Sequence, residues 1–359
     1  MGRKNHDWKI GQEPPLIRPH SLAKHRVLRS YLEQYVKVLT SNPRQEQFRL
    51  TLIDGFAGGG RYLDSRTKEE RSGSPLIMLE AMEKAAQECQ NERSKPFNLD
   101  VQFIFIEKDP DALAYLRETL LASRFAKLIG DKIQIVPGDF ISNIAKTVEF
   151  VKQRGRANRA IYVLDQFGYV DVPFSTIREI LATLDNAEIM LTLATDFLID
   201  YLTDSPSTQK VIEKAGLALS PAQIATAKEN RDWRRCIQRL LHREIVEKTG
   251  AAFYTPFFIR SADSHRDFWL VHLSGHFRAR DVMVGLHWKE NNCFAHYGGA
   301  GLGMLGYDER DDSGITKQST LPGFFFDETA LLSSQYELTQ QRDRTQTPLA
   351  VKVVLALVG

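Results

Sequence analysis

The chain has 359 residues, 43% of them hydrophobic, with 47 Lys and Arg against 45 Asp and Glu for a net charge of +2. This is the composition of a globular protein, long enough for one large domain with additions or for two. It excludes charge-driven binding over the whole surface, so any nucleic-acid contact must use a local patch. Three widely spaced cysteines, Cys89, Cys236 and Cys293, predict a reducing, cytoplasmic setting without a disulfide framework. No Cys or His pairs stand at zinc-site spacing, and His272 and His276 flank a β-rich stretch, so no metal is expected. No run of about 20 apolar residues predicts a membrane span, and the first residues lack the apolar core of a signal peptide.

In chain order, residues 1–20, with Pro14, Pro15 and Pro19, read as an irregular arm. Ser21 is placed to cap a helix in which Leu22, Val27, Leu28, Tyr31, Leu32 and Tyr35 follow a 3.6 period. Lys24 and His25 fall in its first turn, either as a solvated face or because this helix closes over a pocket. Leu50 to Ile53 is an apolar strand that breaks at Asp54-Gly55-Phe56-Ala57-Gly58-Gly59-Gly60. A charged loop, Arg61 to Arg71, precedes a helix starting at Ser74-Pro75, since proline suits a first turn. Val101 to Glu107 is a second strand, and Asp109 is the better cap for the helix from Asp111 to Leu121. Ile133 to Val136 and Ala160 to Asp165 are the third and fourth strands, with helix Ile141 to Lys152 between them. Helix Phe174 to Leu184, capped at Asp171, leads to a fifth strand, Ile189 to Ala194.

Five strands alternating with helices imply a doubly wound parallel sheet with right-handed crossovers. A charged helical insertion follows at about 197–250. Phe253 to Ile259 and Asp267 to Leu273 then read as an antiparallel pair because their link is short. The expected fold is therefore α/β, a doubly wound, mostly parallel seven-stranded sheet with a helical insertion and a small C-terminal extension, a layout that resembles the Rossmann-like sheet of methyltransferases. The expected organisation is an arm and helix over 1–40, the sheet domain over 41–277, and a C-terminal helix and extension over 278–359.

The chemistry concentrates at strand ends. In an open α/β sheet, ligands bind at the carboxyl ends of the strands, and glycines let a ligand approach the backbone. Gly60 is followed by Arg61-Tyr62 and not by the Lys-Ser or Lys-Thr of a triphosphate loop. Glu107 occupies the place of the acid that bonds ribose hydroxyls. Asp139 and Phe140 are placed to bracket a purine, the acid on its exocyclic amine and the ring on its face. Asp165 ends the fourth strand, with Phe167 and Tyr169 as candidate stacking rings; the alternative is that Asp165 caps a turn and Phe167 is core. Arg231, Trp233, Arg234, Arg235, Arg239 and Arg243 make a basic cluster with one aromatic, either a nucleic-acid surface or a solvated helix face.

The spacing Asp54-x-Phe56-x-Gly58-x-Gly60 resembles the first motif of S-adenosylmethionine-dependent methyltransferases. That resemblance implies that Gly55, Phe56, Ala57, Gly58 and Gly60 hold the methionine moiety, with Asp54 near its ammonium. A wider set is similar to the three-Cys-motif partner protein family, TcmP. It comprises His20-Ser21-Leu22-Ala23-Lys24-His25 with Leu28 and Tyr31-Leu32, Ile53 to Gly60, Gly73-Ser74-Pro75-Leu76, Phe105-Ile106-Glu107, the Asp165 turn, and Phe268 to Trp288. The likeness covers about residues 20–290. It implies S-adenosylmethionine as cofactor, a bacterial or phage-linked setting, and a partner protein that bears three cysteines. Where that family has a proline-containing turn such as D-P-Y-G, this chain has Asp165-Gln166-Phe167-Gly168. Two functions are expected in consequence: a methyltransferase acting on a substrate such as nucleic acid, or an inactive binding or scaffold subunit on the same fold.

Overall fold

The computed structural model describes residues 7–155, 158–166, 171–193, 212–213, 216–217, 219–229, 233–260 and 267–290. The chain opens with β1 (Leu16–Ile17), α1 (Pro19–Leu39), β2 (Gln47–Asp54), β3 (Arg61–Asp64), β4 (Glu70–Ser72) and α2 (Ser74–Asn91). It continues with β5 (Asn98–Glu107), α3 (Pro110–Leu121), β6 (Ile133–Pro137), α4 (Phe140–Gln153), β7 (Ala160–Leu164), α5 (Phe174–Thr183) and β8 (Ala187–Leu193). The helices α6 (Pro221–Glu229) and α7 (Trp233–Thr249) precede β9 (Phe253–Arg260), β10 (Asp267–Ser274) and α8 (Phe277–Glu290).

Seven strands form one sheet in the order β6-β5-β2-β7-β8-β10-β9. The pairs from β6 through β8 are parallel, and β10 runs antiparallel to both β8 and β9. This is a Rossmann-like sheet, α/β, doubly wound and mostly parallel. Residues 291–359, expected to hold the small C-terminal extension, lie outside the described residues.

Strand β2 is central because both of its faces are apolar. Leu50, Leu52 and Ile53 are each fully buried, which stabilises the sheet by about 1.5–3 kcal/mol per side chain. One face packs against Leu28, Tyr31 and Leu32 of α1, Met78 and Leu79 of α2, and Met283 of α8. The other packs against Ile144 and Val148 of α4, Ile177 of α5 and Ile245 of α7. The order of the sheet reverses between β2 and β7. The turn after Asp54 therefore opens into the crevice at the carboxyl ends of the parallel strands.

Three local expectations are corrected. Ser21 does not cap α1: the N-cap is Arg18, without a side-chain bond, and the helix begins at Pro19. Proline presets the first turn and removes an amide that a cap would otherwise serve. Likewise Pro173 and not Asp171 sits at the N-cap of α5. The charged stretch Arg61 to Arg71 is a β-hairpin and not a loop; β3 pairs β4 antiparallel, and β1 adds to β3 in parallel. The turn chemistry forms it. Asp64 accepts hydrogen bonds from the Arg66 and Thr67 amides, and Lys68 takes a φ of 60°. Asp109 caps α3 as expected, through the Asp111 amide.

Candidate functional site

Backbone bonds to two neighbouring strands pin the glycine turn across the point where strand order reverses. The Gly55 amide donates to the Val163 carbonyl of β7 at 2.9 Å, and the Ala57 amide to the Ile106 carbonyl of β5 at 3.0 Å. The Gly58 amide donates to Glu107 Oε2 at 2.8 Å, while the Asp109 amide donates to Oε1 at 2.8 Å. Each Glu107 oxygen thus holds one backbone donor and keeps a lone pair for another. Gly58 and Gly60 have positive φ, 59° and 81°, which explains glycine at both positions.

Asp54 is fully buried. Its Oδ1 accepts from the Phe56 amide at 3.1 Å, whereas Oδ2 has no hydrogen-bond partner among the described residues. Burial pushes its carboxyl up to about 7, and the Ser74 side chain and Phe56 amide offset part of that rise. An acid with an orphaned oxygen in such a place favours an incoming donor.

Asp165 follows β7 and meets a cation from α1, 141 residues earlier in the chain. Lys24 Nζ donates to both of its oxygens, at 2.6 and 2.7 Å. Burial works to raise the Asp165 carboxyl. The Lys24 charge and hydrogen bonds, with the Thr192 hydroxyl and His25, hold it below the usual carboxylate range. Helix α1 therefore reaches the strand-end crevice, in line with the reading that it closes over the pocket. Next in sequence, the buried side chain of Gln166 accepts from the Val172 amide at 3.0 Å.

Two aromatics that sequence reasoning did not single out complete the site. The Tyr62 phenol on β3 is raised well above its usual value, first by burial and then by the charges of Asp165, Asp54 and Glu107. Trp8, 8% exposed, packs on the glycine turn: a Cβ on Gly58 or Gly59 would meet its ring at 2.8 or 2.2 Å. Its indole Nε1 donates to the Arg61 carbonyl at 3.0 Å, and its ring meets Tyr62 edge-on at 5.3 Å. Their signal was faint: a lone tryptophan in an arm, and a tyrosine two positions after the last glycine.

The remaining expected residues divide. Phe140 is 2% exposed and belongs to the core. It fills the space that a Cβ on Gly55 would enter at 2.9 Å, so its ring lies under the turn and presents no face to a purine. Phe56, partly buried and 6.4 Å from Phe140, lies nearer the surface. The Asp139 carboxyl is exposed and caps α4 through the amide and hydroxyl of Ser142, at 2.9 and 2.7 Å. Phe167 and Tyr169 lie outside the described residues, as does Arg231. The side chains of Trp233, Arg234, Arg235 and Arg239 are not among those described; Arg243 is exposed on α7. Among the described residues no cluster of three or more His, Cys, Asp or Glu suits a metal, and no helix is long and apolar enough to cross a membrane.

S-adenosylmethionine carries an ammonium, a ribose diol and a sulfonium, and the residues present fit the first two. Asp54 Oδ2 lacks a donor, and Glu107 retains an acceptor on each oxygen.

No family model matches the sequence, and no curated protein matches it. Solved structures are similar in fold. Protein LPL1258 from Legionella pneumophila is 11% identical with a TM-score of 0.40, over 73% of this chain and 90% of that one. A putative methyltransferase from Escherichia coli, yhhF, is 15% identical with a TM-score of 0.29, over 76% of this chain and 99% of that one. A putative O-methyltransferase from Klebsiella pneumoniae is 11% identical with a TM-score of 0.29, over 70% and 90%. At these scores the likenesses do not bear on activity; strand order and the acids around the glycine turn define the site.

Proposed function

We propose that the chain is an S-adenosylmethionine-dependent methyltransferase. One observation carries this reading: three acids, Asp54, Glu107 and Asp165, end or directly follow three adjacent parallel strands around a glycine turn, and one of their oxygens is buried without a donor. When bound, the cofactor supplies an electrophilic methyl group on a sulfonium. The chain supplies position and charge. Asp54 takes the ammonium and Glu107 the ribose hydroxyls. Asp165 accepts the hydrogen bond of the attacking group and, for an amine, draws off its proton. Since Lys24 holds both Asp165 oxygens, an amine substrate reaches the acid by displacing or sharing that contact.

The finer reading places the chain beside the three-Cys-motif partner proteins, working with a partner that bears the cysteines in a bacterial or phage-linked setting, with nucleic acid as substrate. The arginines of α7 and the preceding residues support it by their charge alone. A second reading has its own motive. Gln166 stands where a proline is expected and Lys24 covers Asp165, which suits a binding subunit that has lost transfer.

Transfer of a labelled methyl group to nucleic acid and to protein, with and without a co-expressed partner, separates the two. Incorporation that disappears in Asp165→Asn supports the enzyme. Full cofactor binding with no transfer to any acceptor supports the subunit. Nucleic-acid affinity, if it uses the arginines, must fall steeply with salt.

A further inference from the structure

The opposite pole of the sheet carries a second set of polar groups that the glycine turn does not use. A half-open cavity of about 270 Å³ lies at the amino end of β2, lined by Gln47, Phe48, Arg49, Arg154, Asn158 and Arg159. A second, of about 140 Å³, is lined by Tyr31 and Tyr35 of α1, Glu188 of β8, Arg278 of α8, and again Arg159. The two adjoin, because Arg159 lines both and the Tyr35 and Phe48 rings that wall them are 6.3 Å apart.

The charges in these cavities are unequally satisfied. Arg154 pairs with Asp100 at 2.9 Å and also bonds the Asp100 carbonyl at 3.1 Å; Arg49 lies 3.7 Å from the same carboxyl. Arg159 has no ion pair among the described residues. Its guanidinium rests over the Phe48 ring, 5.2 Å from the centroid. A partly buried guanidinium held on an aromatic face, with its donors unused, is prepared for an anion.

Glu188 is the counterpart. Its Oε2 accepts from the Tyr31 hydroxyl and meets His272 Nε2 at 2.9 Å. Its Oε1 has no hydrogen bond among the described residues, though the residue is only 7% exposed. A nearly buried carboxyl with one unused oxygen in a cavity wall favours a ligand that brings donors.

We propose that the joined cavities bind a nucleoside monophosphate. Its phosphate lies on Arg159 with Arg49 beside it, and the donor-bearing edge of a guanine-type base lies on Glu188 Oε1. The combined space suits a single nucleotide, and the Phe48 and Tyr35 rings offer apolar surface to ribose and base. This site is separate from the glycine turn and does not depend on the methyltransferase reading.

The test is calorimetry of the full chain with GMP, inorganic phosphate and guanosine, each repeated in the presence of S-adenosylhomocysteine. The expected result is GMP binding, with phosphate and guanosine each at least 10-fold weaker and no competition from S-adenosylhomocysteine. Arg159→Gln should weaken GMP at least 10-fold without changing the thermal midpoint, and Arg159→Lys should fall between. No GMP binding at millimolar concentration overturns the proposal. So does an unchanged affinity in a folded Arg159→Gln, phosphate binding as tight as GMP, or displacement of GMP by S-adenosylhomocysteine.

Discussion

The indole of Trp8 lies on the backbone of Gly59 so closely that a single added carbon would sit 2.2 Å from the ring. The N-terminal arm and the glycine turn are therefore one packed unit, and the absence of a side chain at Gly59 serves the arm as much as any ligand. Adding a methyl must move the indole off the turn and strain its bond to the Arg61 carbonyl.

Gly59→Ala should destabilise the fold by about 1–3 kcal/mol through overpacking, and Trp8→Ala by about 3–5 kcal/mol through the void it leaves. The double variant should be markedly less destabilised than the sum, because once the indole is gone the methyl has space. Denaturant melts of the four proteins measure this; additive losses would show that the ring and the turn do not press on one another.

Asp165→Asn should leave cofactor affinity nearly intact while abolishing transfer, since the lost acceptor acts on the substrate. Lys24→Met should raise the Asp165 carboxyl by removing the leading influence that lowers it and leaving its charge unpaired. A pH profile of single-turnover transfer should then shift its acid limb to higher pH. Cofactor affinity that falls in Asp165→Asn as far as in Glu107→Ala would place Asp165 in the binding shell instead.

Asp54 sets a pH dependence whose sign follows from its burial. Its folded carboxyl lies at about 7 against an ordinary value of 3.8, so the folded state holds a proton that the unfolded state has released. This stability is fully present below about pH 4 and declines as pH rises toward 7, by a few kcal/mol at roughly 1.4 kcal/mol per unit. Asp54→Asn, which cannot ionise, should melt higher than the parent at pH 8 and equal to it at pH 4. Melts across that range check it, and parallel curves would refute the assignment. An ammonium on Asp54 should also release a proton, detectable as a binding heat that varies with the buffer's ionisation enthalpy.

Much of this was legible in the sequence, for physical reasons. The apolar run through Ile53, the acid and the glycines after it, and the short link before Asp267 each encode local geometry, so β2, its turn and the β9–β10 pair are readable. What escaped depends on distance or on side chains acting against type. Lys24 and Asp165 are 141 positions apart, and no periodicity relates them. The β3–β4 hairpin lacks alternation because Asp64 and Lys68 build its turn. Phe140 looked like a ligand-facing ring beside an acid; the missing side chain of Gly55 let it sink into the core. Glu188 lies in a strand buried on both faces, where Tyr31 and His272 meet it from elements far along the chain.

The central claim, that the acids around the glycine turn hold S-adenosylmethionine, is tested most directly by calorimetric titration of S-adenosylhomocysteine into the parent protein and Glu107→Ala. The account predicts one site per chain in the parent and at least a 10-fold weaker one in the variant, a loss of about 1.4 kcal/mol or more for a removed acceptor of two hydroxyls. No binding heat at millimolar ligand by folded parent protein, or equal affinity in both proteins, would contradict it.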